Sequence, residues 1–289
     1  MRRAALGTPL HSYSRHSPFP TRPLSDPTPL AHSAGRIVVA AAAAFVAGVM
    51  NAIAGGGTLL TFPALVAAGL PPLVANATST VALMPGALSS MLGYRAELQG
   101  ARRWALSLTV PSLLGGALGA WALLRTPATT FGLIVPWLVL GATALFLVQR
   151  PLLAWAKRHE AESAHSVDVT QGPVALRMLL FQFAVGIYGG YFGAGVGIFM
   201  LAALGFMGLT NIHRMNGLKN WSGFCMNIVA TLVFALSGIV DWTIALTMAV
   251  GAIAGGYIGS RSAQRLPQQF VRGAVAVIGI SSGIWLLLR

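Results

Sequence analysis

After a polar beginning, the chain is a succession of long apolar segments separated by short breaks that contain charges, prolines or glycines. Only 9% of the residues are charged and 55% are hydrophobic, whereas a soluble domain carries roughly 25% charged residues. Because a helix that crosses a bilayer needs about 20 apolar residues, the chain is predicted to be an all-α integral membrane protein with seven or eight apolar segments. The segments are 37–68, 76–94, 104–124, 130–149, 178–205, 215–238, 242–260 and 271–288.

Two polar regions divide the chain. Residues 1–35 are rich in Pro, Ser, His and Arg, and this composition predicts a disordered N-terminal tail. A cytosolic tail, an Arg-rich targeting segment and a misassigned start codon all stay open as explanations. The stretch 150–176 is predicted to be a solvated linker between a first membrane repeat, 36–149, and a second, 177–289.

The charge balance excludes several classes of function. A net charge of +13 would suggest nucleic-acid binding in a soluble protein, but here many cations fall between apolar segments and serve as topology signals. We therefore expect the lipid bilayer, and no nucleic acid, as a partner. The single Cys excludes an intrachain disulfide and a Cys-based metal cluster, and no cofactor is predicted. No Asp or Glu lies well inside an apolar segment, which favours an anion over a cation as substrate.

The first and fifth apolar segments are longer than one straight span and are interrupted by glycine. One contains Gly55, Gly56 and Gly57, and the other contains Gly193, Gly195 and Gly197. At membrane depth, backbone without helical hydrogen bonds is tolerated only where protein buries it or where it lines a watery cavity. The free amides and the dipole of a helix N-terminus can bind an anion there. The alternative is that these glycines only permit tight helix packing.

A short polar cluster follows each interrupted segment. Such residues at a helix start are ordinary caps, and this reading stays open beside a role in binding. Lys219 lies between Leu218 and Trp221, where an ionisable group is costly and suggests function. It either points inward towards an anion or snorkels to the lipid headgroups. The candidate substrate-binding residues are Asn51, Gly55, Gly56, Gly57, Thr58, Asn76, Thr78, Ser79, Gly193, Gly195, Gly197, Asn216, Lys219 and Asn220.

The two interrupted segments belong to an internal repeat. Setting Gly186 against Gly48 also aligns Gly195 with Gly57. In the first half a cluster of arginines follows the second apolar segment, whereas in the second half it follows the third. Because Lys and Arg favour the cytoplasmic ends of spans, the repeats are predicted to be inverted. Inversion requires an odd number of crossings per half, so each glycine-broken segment is expected to be re-entrant, and such pairs indicate a transport site near the midplane.

The interrupted segments and the clusters after them resemble a known family. GVMNAIAGGGTLLTFP at 48–63 with ANATS at 75–79, and GIYGGYFGAGVG at 186–197 with NGLKN at 216–220, are similar to the paired motifs of the TauE/SafE family of sulfite and organosulfonate transporters. The resemblance covers nearly all of 37–288. It implies a multi-pass permease of the bacterial inner membrane for a small sulfur-containing anion, such as sulfite, sulfoacetate or another sulfonate, often in the direction of export.

Other functions stay open beside this one. The chain could transport another small anion, or it could be a membrane assembly protein without transport activity. Gly251, Gly255 and Gly259 suit close helix packing within or between subunits, so a homodimer is also open. An intramembrane enzyme is disfavoured because none of the histidines beyond the tail lies deep in an apolar segment. We predict no catalytic residues.

Overall fold

A computed structural model describes residues 34–53, 55–161, 172–209, 211–262 and 268–288. All regular secondary structure within these ranges is helical. The helices are α1 (Ala34–Ile53), α2 (Thr58–Ala67), α3 (Pro72–Gly93), α4 (Arg95–Gln99), α5 (Arg102–Arg125), α6 (Ala128–Ala161), α7 (Leu176–Tyr191), α8 (Val196–Phe206), α9 (Ile212–Ser237), α10 (Trp242–Ser262) and α11 (Gln268–Leu288). The N-terminal tail up to residue 33 and residues 162–171 of the predicted linker lie outside the described residues.

Both glycine-rich segments are broken where the sequence predicts. The first becomes α1 and α2, and the second becomes α7 and α8. The second members of these pairs have only 10 and 11 residues. At 1.5 Å per residue each covers about 15–17 Å, which is roughly half of a 30 Å hydrocarbon core.

The α2 helix folds back against α1 and does not continue it. A Cβ atom added to Gly57 would lie 2.5 Å from the carbonyl oxygen of Ala47, more than one turn before the end of α1. Further along, α2 residues from Leu60 to Ala67 share an apolar groove with α1 residues from Val39 to Val46. The first broken segment is therefore a helical hairpin, and α8 likewise packs against α7.

The two halves of the chain interlock. The α1 helix packs chiefly on α10, and α5 packs chiefly on α7. Glycines permit these close approaches: a Cβ on Gly115 would lie 2.5 Å from the carbonyl oxygen of Phe183, and one on Gly255 would overlap Phe45. Gly251 and Gly259 are packed against α1 in the same way. These glycines therefore pack helices within one chain and give no support to a homodimer.

Apolar side chains cover the outside of the bundle. On α5 they recur every three or four residues, so they form one face of the helix. Exposed apolar patches of this extent mark a lipid or protein interface. Their members on α5 are Leu106, Val110, Leu114, Leu118 and Trp121.

Four helical stretches in the described residues are long and apolar enough to cross a membrane. They are Arg102–Arg125, Ala128–Val148, Ile212–Ser237 and Trp242–Arg261. Shorter apolar helices, which include both members of the first hairpin, accompany them. The prediction of an all-α membrane bundle is therefore confirmed at this level. Helix α6 continues to Ala161, past the predicted start of the linker, because Leu152–Ala156 consists mostly of good helix formers.

Candidate functional site

A small cavity lies between the two breaks. Its volume of about 60 Å³ gives room for roughly four water molecules. It is bounded by the breaks themselves and by α3 and α9. Several of the predicted binding residues line it: Asn51, Gly55, Gly56, Thr58, Gly193, Gly197, Lys219 and Asn220.

The two breaks meet at their backbones. Gly55 has a φ of +82°, and a Cβ atom on it would lie 2.9 Å from the Cα atom of Gly197. Gly56 has a φ of +99°, which L side chains rarely adopt. Gly55 and Gly56 are therefore required by backbone conformation, and Gly55 is also required by the close approach of the other half.

The amide of Gly57 is already used by the protein. Its N–H donates to Oδ1 of Asn51 over 2.7 Å, so Asn51 ties the start of α2 to the end of α1. In the second break, the Tyr188 hydroxyl donates to the carbonyl oxygen of Ala194 over 2.6 Å. Each break is therefore held by a side chain from the helix that precedes it. Gly57 does not line the cavity itself, but its N–H holds Asn51, which does.

Lys219 is buried at the end of α1. Its side chain is 3% exposed, so it does not snorkel to the surface. The Nζ atom donates to the carbonyl oxygens of Asn51 at 3.0 Å and Ala52 at 3.4 Å. Nδ2 of Asn220 donates to the Ala52 oxygen as well, at 3.3 Å. Because helix C-termini carry partial negative charge, this position stabilises the ammonium group, which also borders the cavity.

The polar cluster on α3 binds the end of α7, as Lys219 and Asn220 bind the end of α1. Nδ2 of Asn76 donates to the carbonyl oxygen of Tyr191, the last residue of α7, over 2.9 Å. Oγ1 of Thr78 accepts the Asp241 N–H over 3.0 Å. In the α9 cluster only the first residue acts as a cap among the described residues: Oδ1 of Asn211 accepts from the N–H groups of His213 and Arg214. Each cluster binds the end of a broken helix in the other half of the chain.

The remaining predicted residues are not among those that line the cavity. The Ser79 hydroxyl is 2.6 Å from that of Thr61, and both side chains are fully buried. Gly195 is the N-cap of α8 with a φ of +73°. Asn216 is buried. Like Asn76 and Thr78, these residues do not line the cavity, so their contribution is to the packing around it.

Sequence reasoning missed much of the rest of the lining. Thr80, Leu83 and Ala87 on α3, and Gly223 and Asn227 on α9, all border the cavity. Their spacing of three and four residues places them on one face of each helix. Continuing the internal repeat along α3 and α9 would have aligned 80, 83 and 87 with 220, 223 and 227 and revealed them. The other missed lining residues are Ser90, Gly189, Phe192, Val196 and Met200.

Comparison with known proteins identifies the family. Residues 40–286 match the family model described as "Sulfite exporter TauE/SafE". The chain belongs to this family. It is therefore a multi-pass membrane transporter and not an enzyme, in agreement with the resemblance noted from the two motifs.

Bacterial membrane proteins are similar to the chain along most of their length. "Probable membrane transporter protein ORF9" of a Sinorhizobium species is 29% identical over 247 residues, which cover 85% of this chain and 90% of the relative. "Probable membrane transporter protein YfcA" of Escherichia coli is 30% identical over 243 residues, covering 81% and 83%. A "Probable membrane transporter protein" of Haemophilus influenzae is 29% identical over 235 residues, covering 81% and 88%. No solved structure matches the chain.

Proposed function

We propose that this transporter moves a small sulfur-containing anion, such as sulfite, sulfoacetate or another sulfonate, and that the cavity between the breaks is its binding site. The observation that carries the proposal is the buried side-chain nitrogen of Lys219 at the edge of this cavity. Among the described residues, no Asp or Glu lines the cavity, so the site offers an anion positive charge without a competing carboxylate.

The membrane arrangement that suits this function is a pair of inverted repeats. In this proposal each hairpin, α1–α2 or α7–α8, enters and leaves the membrane on the same face. Three crossings then follow in each half, made by α3, α5 and α6 and by α9, α10 and α11. This odd number inverts the second half. The hairpin geometry and the two short helices α2 and α8 support the proposal.

Contacts between helix ends agree with this topology. Nε1 of Trp104 donates to the carbonyl oxygen of Gly172 over 3.1 Å, and Gly100 lies beside the guanidinium group of Arg214. The start of α5, the approach to α7 and the start of α9 are therefore neighbours at one end of the bundle. Several arginines lie there, including Arg102 and Arg103, so we assign this end to the cytoplasm. The N-terminus of α1 then lies at the opposite face.

Transport by purified protein in proteoliposomes tests the function. We expect saturable uptake of labelled sulfite or of a sulfonate, and loss of uptake when Lys219 is replaced by Met. Lys157→Met is the matched control, because Lys157 is the other lysine of the chain and lies on the polar extension of α6. Lys219→Arg keeps the positive charge, so comparing it with Lys219→Met separates the effect of losing the charge from the effect of misfolding. Circular dichroism checks that each variant is folded.

The results distinguish the alternatives. Normal sulfite flux through a folded Lys219→Met variant would contradict the proposed role of the Lys219 charge in binding the anion. If folded wild-type protein carries none of sulfite, sulfoacetate, taurine and sulfate, the substrate is another small anion or the protein serves membrane assembly without transport. Comparing outward and inward gradients in vesicles of known orientation tests the proposed export.

A further inference from the structure

Lys219 has no full negative charge beside it. Its hydrogen bonds go to the backbone carbonyl oxygens of Asn51 and Ala52 at the end of α1, and a helix C-terminus carries only about half an elementary charge. The described side chains of α1, α3 and α8, which pack on α9, include no charged or titratable group. When Lys219 is protonated, the protein therefore compensates its charge only in part.

Among the described residues, no other ionisable side chain lines the cavity. Glu97 of α4 lies against α9 at Gly217, where its Cβ atom is 3.5 Å from the position of an added Cβ atom, but no hydrogen bond joins it to Lys219. The Tyr188 hydroxyl of α7 is bound to the carbonyl oxygen of Ala194, and Cys225 is hydrogen-bonded to Thr109. Those at the end of the bundle assigned to the cytoplasm are Arg95, Arg102, Arg103, Arg177, His213 and Arg214.

The number of N–H donors separates the two protonation states of Lys219. An ammonium group has three donors, whereas a neutral amine has two. The two carbonyl oxygens satisfy both donors of the neutral amine, but they leave one N–H of the ammonium group without a partner among the described residues. Because Lys219 lines the cavity, an anion bound there supplies both the missing acceptor and the missing negative charge.

An anion in the cavity and a proton on Lys219 therefore favour the binding of one another, and such coupling is reciprocal. We propose that Lys219 binds one proton with each transported anion, so that the protein is a proton–anion symporter, a mode of transport that rests on the proposed function. The proton joins Nζ from the side on which the anion enters, and it leaves with the anion on the other side.

The return of the empty site completes the cycle. The site returns with the neutral amine, since an ammonium group without a counter-charge is costly at membrane depth. Net transport then follows the sum of the proton gradient and the anion gradient. A sufficient excess of the anion in the cytoplasm therefore still drives export.

Accumulation driven by a proton gradient tests the symport. Proteoliposomes hold labelled methanesulfonate or sulfoacetate at equal concentrations on both sides, the outside is one pH unit more acidic, and valinomycin with equal K⁺ on both sides holds the membrane potential at zero. Both anions stay ionised near neutral pH, because carboxyl groups titrate at about pH 4 and sulfonates at lower pH. We expect wild-type protein to accumulate the anion inside up to about tenfold, the ratio of the two proton concentrations.

Replacement of Lys219 by Arg should abolish this accumulation. A guanidinium group stays protonated, so Lys219→Arg should keep uptake down the anion's own gradient while the accumulation ratio falls close to one. Lys157→Arg is the matched control for the substitution. Glu97→Gln and His213→Gln remove ionisable groups on α4 and at the start of α9, and both should keep the wild-type ratio.

Proton movement gives a second readout that needs no variant. Without an initial pH gradient, an inward gradient of methanesulfonate should carry protons into wild-type vesicles and acidify the lumen, which the trapped dye pyranine reports. Valinomycin and K⁺ are present again, so that no membrane potential draws the protons in.

The outcomes separate the symport from the proposed function. Uptake of a sulfonate down its own gradient, without accumulation and without acidification of the lumen, would overturn the symport and leave anion transport standing. Accumulation that persists in Lys219→Arg would overturn the assignment of the proton to Lys219. Absence of sulfite and sulfonate uptake by folded wild-type protein would overturn the proposed function together with the symport.

Discussion

A single methyl group added at two glycines of the same cavity should have opposite effects on stability. At Gly55, alanine would adopt the left-handed conformation, which costs about 1–2 kcal/mol. Its Cβ atom would lie 2.9 Å from the Cα atom of Gly197, well inside the optimum of about 3.5–4.0 Å. Relieving such overlap costs typically another 1–3 kcal/mol. Gly55→Ala should therefore lower the free energy of unfolding by about 2–5 kcal/mol.

Gly223 provides the matched comparison. It lies inside α9, and a Cβ atom on it would have no heavy-atom neighbour within 4 Å. Alanine is favoured over glycine in a helix by about 1 kcal/mol, so Gly223→Ala should be stable while it narrows the cavity and slows transport. Both free energies can be measured by SDS titration from a mild detergent. Equal stability of wild type and Gly55→Ala would refute the conclusion that the two breaks meet backbone to backbone.

Two further predictions concern packing around the site. Thr61→Val should lower the free energy of unfolding by about 1–3 kcal/mol, because it leaves the buried hydroxyl of Ser79 without its partner. Ser79→Ala should lower it much less in the Thr61→Val background than in the wild type. Additive losses in this double-mutant cycle would contradict the pairing. Gly116→Leu should prevent α5 from packing on α9, because even a Cβ atom there lies 2.6 Å from the carbonyl oxygen of Met226. Size-exclusion chromatography in detergent should then show loss of the monodisperse peak, and its retention would contradict the close approach.

The sequence was sufficient to predict where the helices break. Glycine at 55 and 56 is needed for positive φ, and the chain does turn back there. Lys219 also stands out in the sequence, since an ammonium group in an apolar segment needs a partner. Its partners are backbone carbonyls of α1. Carbonyl groups are present in every residue, so no side-chain pattern could have predicted this choice.

The division between lining and supporting residues was beyond sequence reasoning. Asn76 and Asn220 occur in similar polar clusters, yet only Asn220 borders the cavity, while Asn76 binds the end of α7. Which face of a helix points inward depends on its rotation against neighbours from the other half. Glycine contacts between residues distant in sequence constrain that rotation, such as Gly86 of α3 against Ala252 and Gly116 against Met226 of α9.

The interlocked pairing of α1 with α10 has a consequence for biosynthesis. The ribosome makes α1 before the other described helices, but its main packing partner, α10, begins only at Trp242. Nearly the whole protein must be inserted into the membrane before the glycine contacts of α10 can cover α1. In chains truncated before α10, the face of α1 that packs on α10 would stay exposed. Membrane quality control could recognise truncated chains by this exposed face.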